Sequence, residues 1–208
     1  MSLETNPVDR PRPAKRARRR GGDGRRLAVI EQMQPWFLAE GFSGLTVDDL
    51  CARLHCSKTT LYSVAATREQ IVQVVVRHFF AESAAAIENE VSHHTEPSDR
   101  IVTYLAGVGS AMSRNSAEFY ADMVSYQPTA AIYRLNSDAA ARRVRELIEE
   151  GVAADAFTEG YANFASHAVA ILIDGVQSGR LLEATGLTAG EAFTELGEIL
   201  INGLAKRP

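Results

Sequence analysis

The sequence is short of cysteine, has no long apolar run and has no stretch that alternates cleanly between apolar and polar residues. Each shortage removes a class of protein. Two cysteines in 208 residues cannot build a disulfide framework and suit a reducing compartment. The longest stretch without a charged residue, 160–173, holds 14 residues, whereas a membrane-spanning helix needs about 20 apolar ones. The apolar segment after the basic N-terminus is broken by Glu31, Gln32, Gln34 and Pro35, so no secretory signal is expected and the chain is assigned to the cytoplasm. Without strand-like alternation, the fold class is all-α.

Catalytic signatures are missing as well. No phosphate-binding glycine loop, nucleophile elbow or paired-carboxylate constellation occurs, and His93-His94 has no further ligands at metal spacing. A non-enzymatic protein without metal or cofactor is therefore expected.

What is present is an uneven charge. The formal net charge is −4, yet residues 1–26 carry nine basic and three acidic side chains, for +6. Residues 27–80 sum to −1 and residues 81–208 to −9. The basic segment also holds Pro7, Pro11, Pro13 and three glycines with almost no apolar residues. The composition predicts an arm over 1–24 that is disordered alone and that binds polyanions.

From Arg25 onward the apolar spacing is helical. Val29, Met33, Trp36 and Phe37 make one stripe, with Pro35 expected to bend the helix that carries it. Ile71, Val74, Val75, His78 and Phe79 make a second stripe, and Ile101, Leu105, Val108 and Met112 a third. Ala140, Val144, Leu147 and Ile148 belong to a helix expected to end at a left-handed Gly151. Phe164, Ala168, Ile171, Gly175, Ser178 and Leu182 form one stripe of a closing pair, and Phe193, Leu196, Leu200 and Leu204 the other. Together they resemble a bundle seam. About nine helices fit this length.

Between residues 41 and 68 lie two short helices and a tight turn. Thr46 with Asp49 caps the first, His55-Cys56 makes the turn, Ser57 caps the second, and Thr67 with Gln70 opens the long helix after them. This is the pattern of a helix-turn-helix, whose second helix enters the DNA major groove. The spacing alone is equally that of a plain helical hairpin. The residues Phe37, Gly41-Phe42, Thr46-Val47, Leu50, Ser57-Lys58, Leu61-Tyr62 and Arg68-Glu69, within 29–71, resemble the DNA-binding domain of the TetR family of transcriptional regulators.

That resemblance implies a three-helix DNA-binding head over 25–66 and a larger helical effector-binding and dimerisation domain over 67–208. The last two helices would pair two copies into a homodimer. By matching position, Thr46, Lys58, Tyr62 and Arg68 would contact phosphates, Thr59 and Thr60 would lie nearest the bases, and Ser57 would stand with them at the helix start. Three residues depart from the family pattern: His55-Cys56 replaces Gly-Val, Ala65 replaces an aromatic, and Pro35 interrupts the first helix. Because the head has so little positive charge, the arm would supply the grip, with Arg18, Arg19 or Arg20 in a narrow minor groove.

In the larger domain Tyr104, Met112, Phe119, Met123, Tyr126, Phe164 and His167 are candidates to touch a hydrophobic or aromatic effector, although such residues also make ordinary cores. Cys51 and Cys56 read as small buried residues rather than a redox pair. The function expected is a ligand-responsive, sequence-specific regulator, a repressor released from a pseudo-palindromic operator by its effector. The alternative is a constitutive DNA-binding or architectural protein without an effector pocket.

Overall fold

The computed structural model describes residues 14–204, with side chains from Gly24 onward. Residues 1–13 and the side chains of Arg18, Arg19 and Arg20 lie outside the described residues, and so do the DNA contacts expected of them, whereas α1 begins at Ala14, inside the arm expected over 1–24.

Ten helices and no β-strand are found among the described residues. The head holds α1 (Ala14–Glu40), α2 (Val47–Arg53) and α3 (Lys58–Leu61). Helix α4 (Arg68–Val91) leads into the body, which contains α5 (Pro97–Ser113), α6 (Ala117–Ser125), α7 (Gln127–Ala153), α8 (Glu159–Gln177), α9 (Arg180–Thr185) and α10 (Ala189–Leu204). Proline opens α5 and α7, where a missing N–H costs nothing.

The stripes find partners as amphipathic helices must. Met33 and Phe37 of α1 meet Leu50, Leu61 and Ile71 in a sealed head core. In the body, α5 packs between α4, α7 and α10, and α7 lies along α8. Helix α1 touches both α4 and α6, so the head is bound to the body at two places.

Several sequence expectations differ in detail. Helix α1 does not end at Pro35, which is exposed inside it, so the proline does not interrupt the helix. Gly151 is not a left-handed cap: α7 runs past it to Ala153, and Asp155 takes the positive φ of 60° instead. The glycine is needed for space, because a Cβ there would strike the Phe157 ring. Helix α8 stops at Gln177, where Gly179 at φ 77° turns the chain into α9, so Leu182 belongs to a separate helix.

The two closing stripes also face opposite ways. Phe193, Leu196, Leu200 and Leu204 are buried in the chain's own core, and Gly197 of the same helix approaches Leu105 of α5, while Phe164 and Ile171 stand 77% and 70% exposed. A seam with both stripes facing each other within one chain is therefore not what forms.

Candidate nucleic-acid interface and effector cavity

The helix-turn-helix is built by its caps. Thr46 accepts the N–H of Asp49 at 3.2 Å, and the Asp49 carboxylate accepts the Thr46 N–H at 2.9 Å, closing a capping box at the start of α2. Bonds from the Thr46 hydroxyl and backbone hold the Asp49 carboxyl below its usual range. Ser57 caps α3 by accepting the N–H of Thr60 at 3.2 Å. Between them His55 sits at φ 47°, a left-handed conformation that histidine tolerates better than most residues, so the turn survives without glycine. The Cys56 N–H bonds back to the Cys51 carbonyl at 3.1 Å.

This leaves one face of α3 outward. Lys58 and Thr59 are exposed, Tyr62 is 41% exposed, and Leu61 is buried beneath them. Thr60 is half-buried, its hydroxyl shared with Ser57 at 3.1 Å. The outward groups can donate to phosphates or base edges.

The head's cations are mostly engaged. Arg53 grips Glu40 through two bonds of 3.0 and 2.8 Å and lies 5.8 Å over the Trp36 ring. Lys58 pairs with Asp48 at 2.8 Å on the surface, where phosphate can displace it. Arg26 donates to the Val64 carbonyl at 2.9 Å and holds the end of the α3 segment to α1. Arg68 differs most from expectation. Its guanidinium donates to the carbonyls of Leu45, Phe42 and Ser43 at 2.7, 2.5 and 3.1 Å. These bonds use Nε and Nη2 and brace the α1–α2 loop.

The same loop is held from the body. Asp122 of α6 accepts the N–H groups of Phe42 and Ser43 at 2.6 and 2.7 Å. Burial alone would raise this carboxyl's pKa, but those bonds and nearby Arg68 outweigh it and hold it low. Gly41 is required here, since φ is 75° and a Cβ would meet Asp122 Oδ2 at 2.5 Å. Phe42 fills the space beside it, packing on Phe37, Phe119 and Tyr126 at 5.7, 5.9 and 6.4 Å between centroids. An unbroken series of rings thus runs from the head through Phe119 and Phe79 to Phe80 and Tyr133.

Phe80 and Tyr133 line a cavity of about 80 Å³ between α4, α5 and α7, together with Ile87, Tyr104, Met112 and Asn136. Of the effector candidates, the structure brings Tyr104 and Met112 together there. Phe119, Met123 and Tyr126 sit instead where α6 and its end meet the head. Phe164 points outward from α8, and His167 lines a separate surface groove with Arg145 and Glu149, its Nδ1 2.8 Å from the Asn163 carbonyl. Phe80 and Asn136 escaped the sequence reading. The adjacent pair Phe79-Phe80 was the available signal, because two neighbouring apolar residues on a helix widen its buried face.

The cavity has a charged cluster beside it. Arg143 of α7 reaches Glu88 of α4 at 2.8 Å and Glu146 and Glu150 on its own helix at 3.3 and 3.1 Å, and Arg100 of α5 pairs with Glu150. Burial, with Glu88 second, pushes the Tyr104 phenol up to about 12. Among the described residues no His, Cys, Asp and Glu group has metal-binding geometry, and no helix is long and apolar enough to cross a membrane.

Neither a family model nor a curated protein matches the chain. Solved structures do. A TetR transcription regulator from Haloarcula marismortui superimposes with a TM-score of 0.69 at 12% identity, covering 88% of this chain and all (100%) of that one. A TetR transcriptional regulator from Chloroflexus aurantiacus gives 0.67 at 18% identity over 90% and 100%. A protein from Saccharomonospora viridis, solved in complex with choline, gives 0.67 at 14% identity over 89% and 100%. With a helix-turn-helix head docked by α1 and α4 onto a helical body, the chain has the fold of the TetR transcription regulators.

Proposed function

We propose that this protein is a homodimeric, ligand-responsive transcriptional regulator that binds a pseudo-palindromic operator and releases it when a small effector enters the body. The observation that carries the reading is the capped helix-turn-helix whose outward α3 face offers Lys58, Thr59 and Tyr62. Thr46 and Ser57 hold the two helix starts, and Thr60 stands at the edge of that face. The reading involves no enzymatic step, and the TetR regulators that share the fold support that.

Dimerisation is supported by α8, where Tyr161, Phe164 and Ile171 are exposed, and by α10, packed on α8, where Ile199 is exposed. Large exposed apolar side chains gathered on two packed helices suit a contact surface. Two heads about 34 Å apart would meet successive major grooves of one DNA face.

Effector response is supported by the cavity between α4, α5 and α7 and by its ring series to Phe42. The Saccharomonospora protein was solved in complex with choline and another structural neighbour, RolR, with resorcinol, so proteins of this fold accept small molecules. A ligand preferring one head spacing would shift the population toward it. The basic arm, 1–24, belongs to the proposal as the source of electrostatic grip, because Arg26, Arg53 and Lys58 of the head have partners within the chain, which leaves Arg25 as the head's one cation without a partner among the described residues.

Selection of random DNA duplexes on the full chain tests this. Enriched sequences should contain two inverted half-sites about one helical turn apart. Enrichment without symmetry, or none at all, would leave the architectural alternative.

A further inference from the structure

We infer that Cys51 and Cys56 are a thiol pair which a small-molecule disulfide converts into an intrachain disulfide, and that the closed pair displaces the start of α3 and weakens DNA binding. The effect on DNA rests on the proposed function; the bond itself does not.

The backbone sets the pair. Helix α2 ends in a Schellman motif: the His55 N–H bonds to the Ala52 carbonyl at 3.2 Å and the Cys56 N–H to the Cys51 carbonyl at 3.1 Å, with His55 left-handed between them. That motif sets the third-last residue of a helix beside the second residue beyond its cap, and here both are cysteine. Both thiols are free, and the Cys56 thiol has a side-chain hydrogen bond with Cys51. Thiols held together by one fixed turn can be joined without a large backbone movement.

Neither thiol is sealed off. Cys51 and Cys56 are half-buried, unlike Leu50 and Leu61 beside them in the head core, so a small reagent reaches both. Of the two, Cys51 has a cation acting on it, the Lys58 ammonium, which assigns it the first attack. Burial, with Cys51 second, pushes the Cys56 thiol up and leaves the second step to it.

The exchange balances. The Cys51 thiolate attacks one sulfur of the small disulfide and expels the other as a thiolate; Cys56 then gives up its proton, attacks the Cys51 sulfur of the mixed disulfide and expels the second small thiolate. The pair loses two electrons and two protons, and the small disulfide gains them as it becomes two thiols.

The bond is felt at α3 because of where Cys56 stands. It directly precedes Ser57, the N-cap of α3, and its sulfur takes a backbone hydrogen bond from Leu61 of that helix. A disulfide draws its sulfurs to about 2.05 Å, well inside a non-bonded contact. Pulling Cys56 toward α2 moves the cap, and the outward Lys58 and Thr59 follow it. A recognition surface has to be held to within about 0.5 Å, so a shift of this kind misplaces it.

The full chain, equilibrated without oxygen in glutathione buffers of rising disulfide share, tests the inference. Mass mapping after thiol blocking should show one intrachain linkage between Cys51 and Cys56. Affinity for the duplex selected on reduced protein should fall about tenfold over the same range, the effect of one lost base contact, and return with dithiothreitol. Cys51→Ala should keep the reduced affinity and lose the fall.

Glutathione adducts alone, chain-to-chain disulfides alone, or free thiols throughout would overturn the pair. A complete linkage with unchanged affinity, or a fall that persists in Cys51→Ala, would overturn its effect on α3. Failure to select any duplex would remove the regulator reading, while the mass map still decides the pair.

Discussion

The carboxylate of Asp122, on α6, accepts the backbone N–H of Phe42 at 2.6 Å, so a body helix holds the loop that leads into the helix-turn-helix. Arg68 braces the same loop from the carbonyl side. Donors and acceptors of three consecutive peptide groups are thus matched by one anion and one cation from outside the head.

Asp122→Ala should lower unfolding free energy by about 1–3 kcal/mol, because the Phe42 and Ser43 N–H groups lose their acceptor. Urea denaturation measures it, and hydrogen exchange should quicken first at residues 42 and 43. The sign with pH follows from the depressed carboxyl. The contribution is complete above the ordinary value of 3.8 and is lost as pH falls through the lower folded value. In Asp122→Ala that acid-side loss should be smaller.

Arg68 and Lys58 should separate in their salt dependence. Lys58→Ala should reduce the slope of log K against log salt by about one unit, since its exposed ammonium can leave Asp48 for a phosphate. Arg68→Ala should lower the melting temperature and leave the slope nearly unchanged, because its donors belong to the loop. A reduced slope in Arg68→Ala would return that residue to the DNA contacts.

Charge introduced on the two closing helices should have two different outcomes. Ile171→Glu places a carboxylate on the exposed α8 face and should give folded monomers by sedimentation, with lost operator affinity. Leu200→Glu buries a charge at a site only 7% exposed and should unfold the body instead. Folded dimers from Ile171→Glu would place the interface elsewhere.

Gly151→Ala should cost about 1–3 kcal/mol, the usual penalty of overpacking, because its Cβ meets the Phe157 ring. A calorimetric melt checks it, and Phe157→Leu in the same chain should recover part of the loss.

What was legible in the sequence was local. The threonine and serine caps at 46, 57 and 67 stand where side-chain oxygen meets a helix start, and all three form those bonds. The stripes of α1, α4 and α5 follow from period alone. The misreadings come from tertiary partners that periodicity does not encode. A stripe reveals which face is apolar but not what covers it, which is why Leu200 and Ile171 read alike yet one is buried by α5 and α8 and the other faces outward. Arg68 reads as a surface cation beside a DNA-binding motif, and only the folded α1–α2 loop shows its three carbonyl acceptors. Asp122 lies 80 residues from Phe42, and one aspartate on a short helix carries no local mark of that contact.

Deletion of residues 1–24 should flatten the salt slope by several units of log K per log salt, as loss of multiple phosphate contacts requires. An unchanged slope would remove the arm from the binding account.

In the proposed function the outward face of α3 reads DNA sequence. Its most direct measurement is the ratio of affinities for selected operator and random duplex at about 0.2 M salt, in the full chain and in Thr59→Ala. The account predicts a ratio of at least about a thousandfold that falls roughly tenfold in the variant, the effect of one lost base contact. A ratio near one in the full chain, or one that Thr59→Ala leaves untouched, would contradict it.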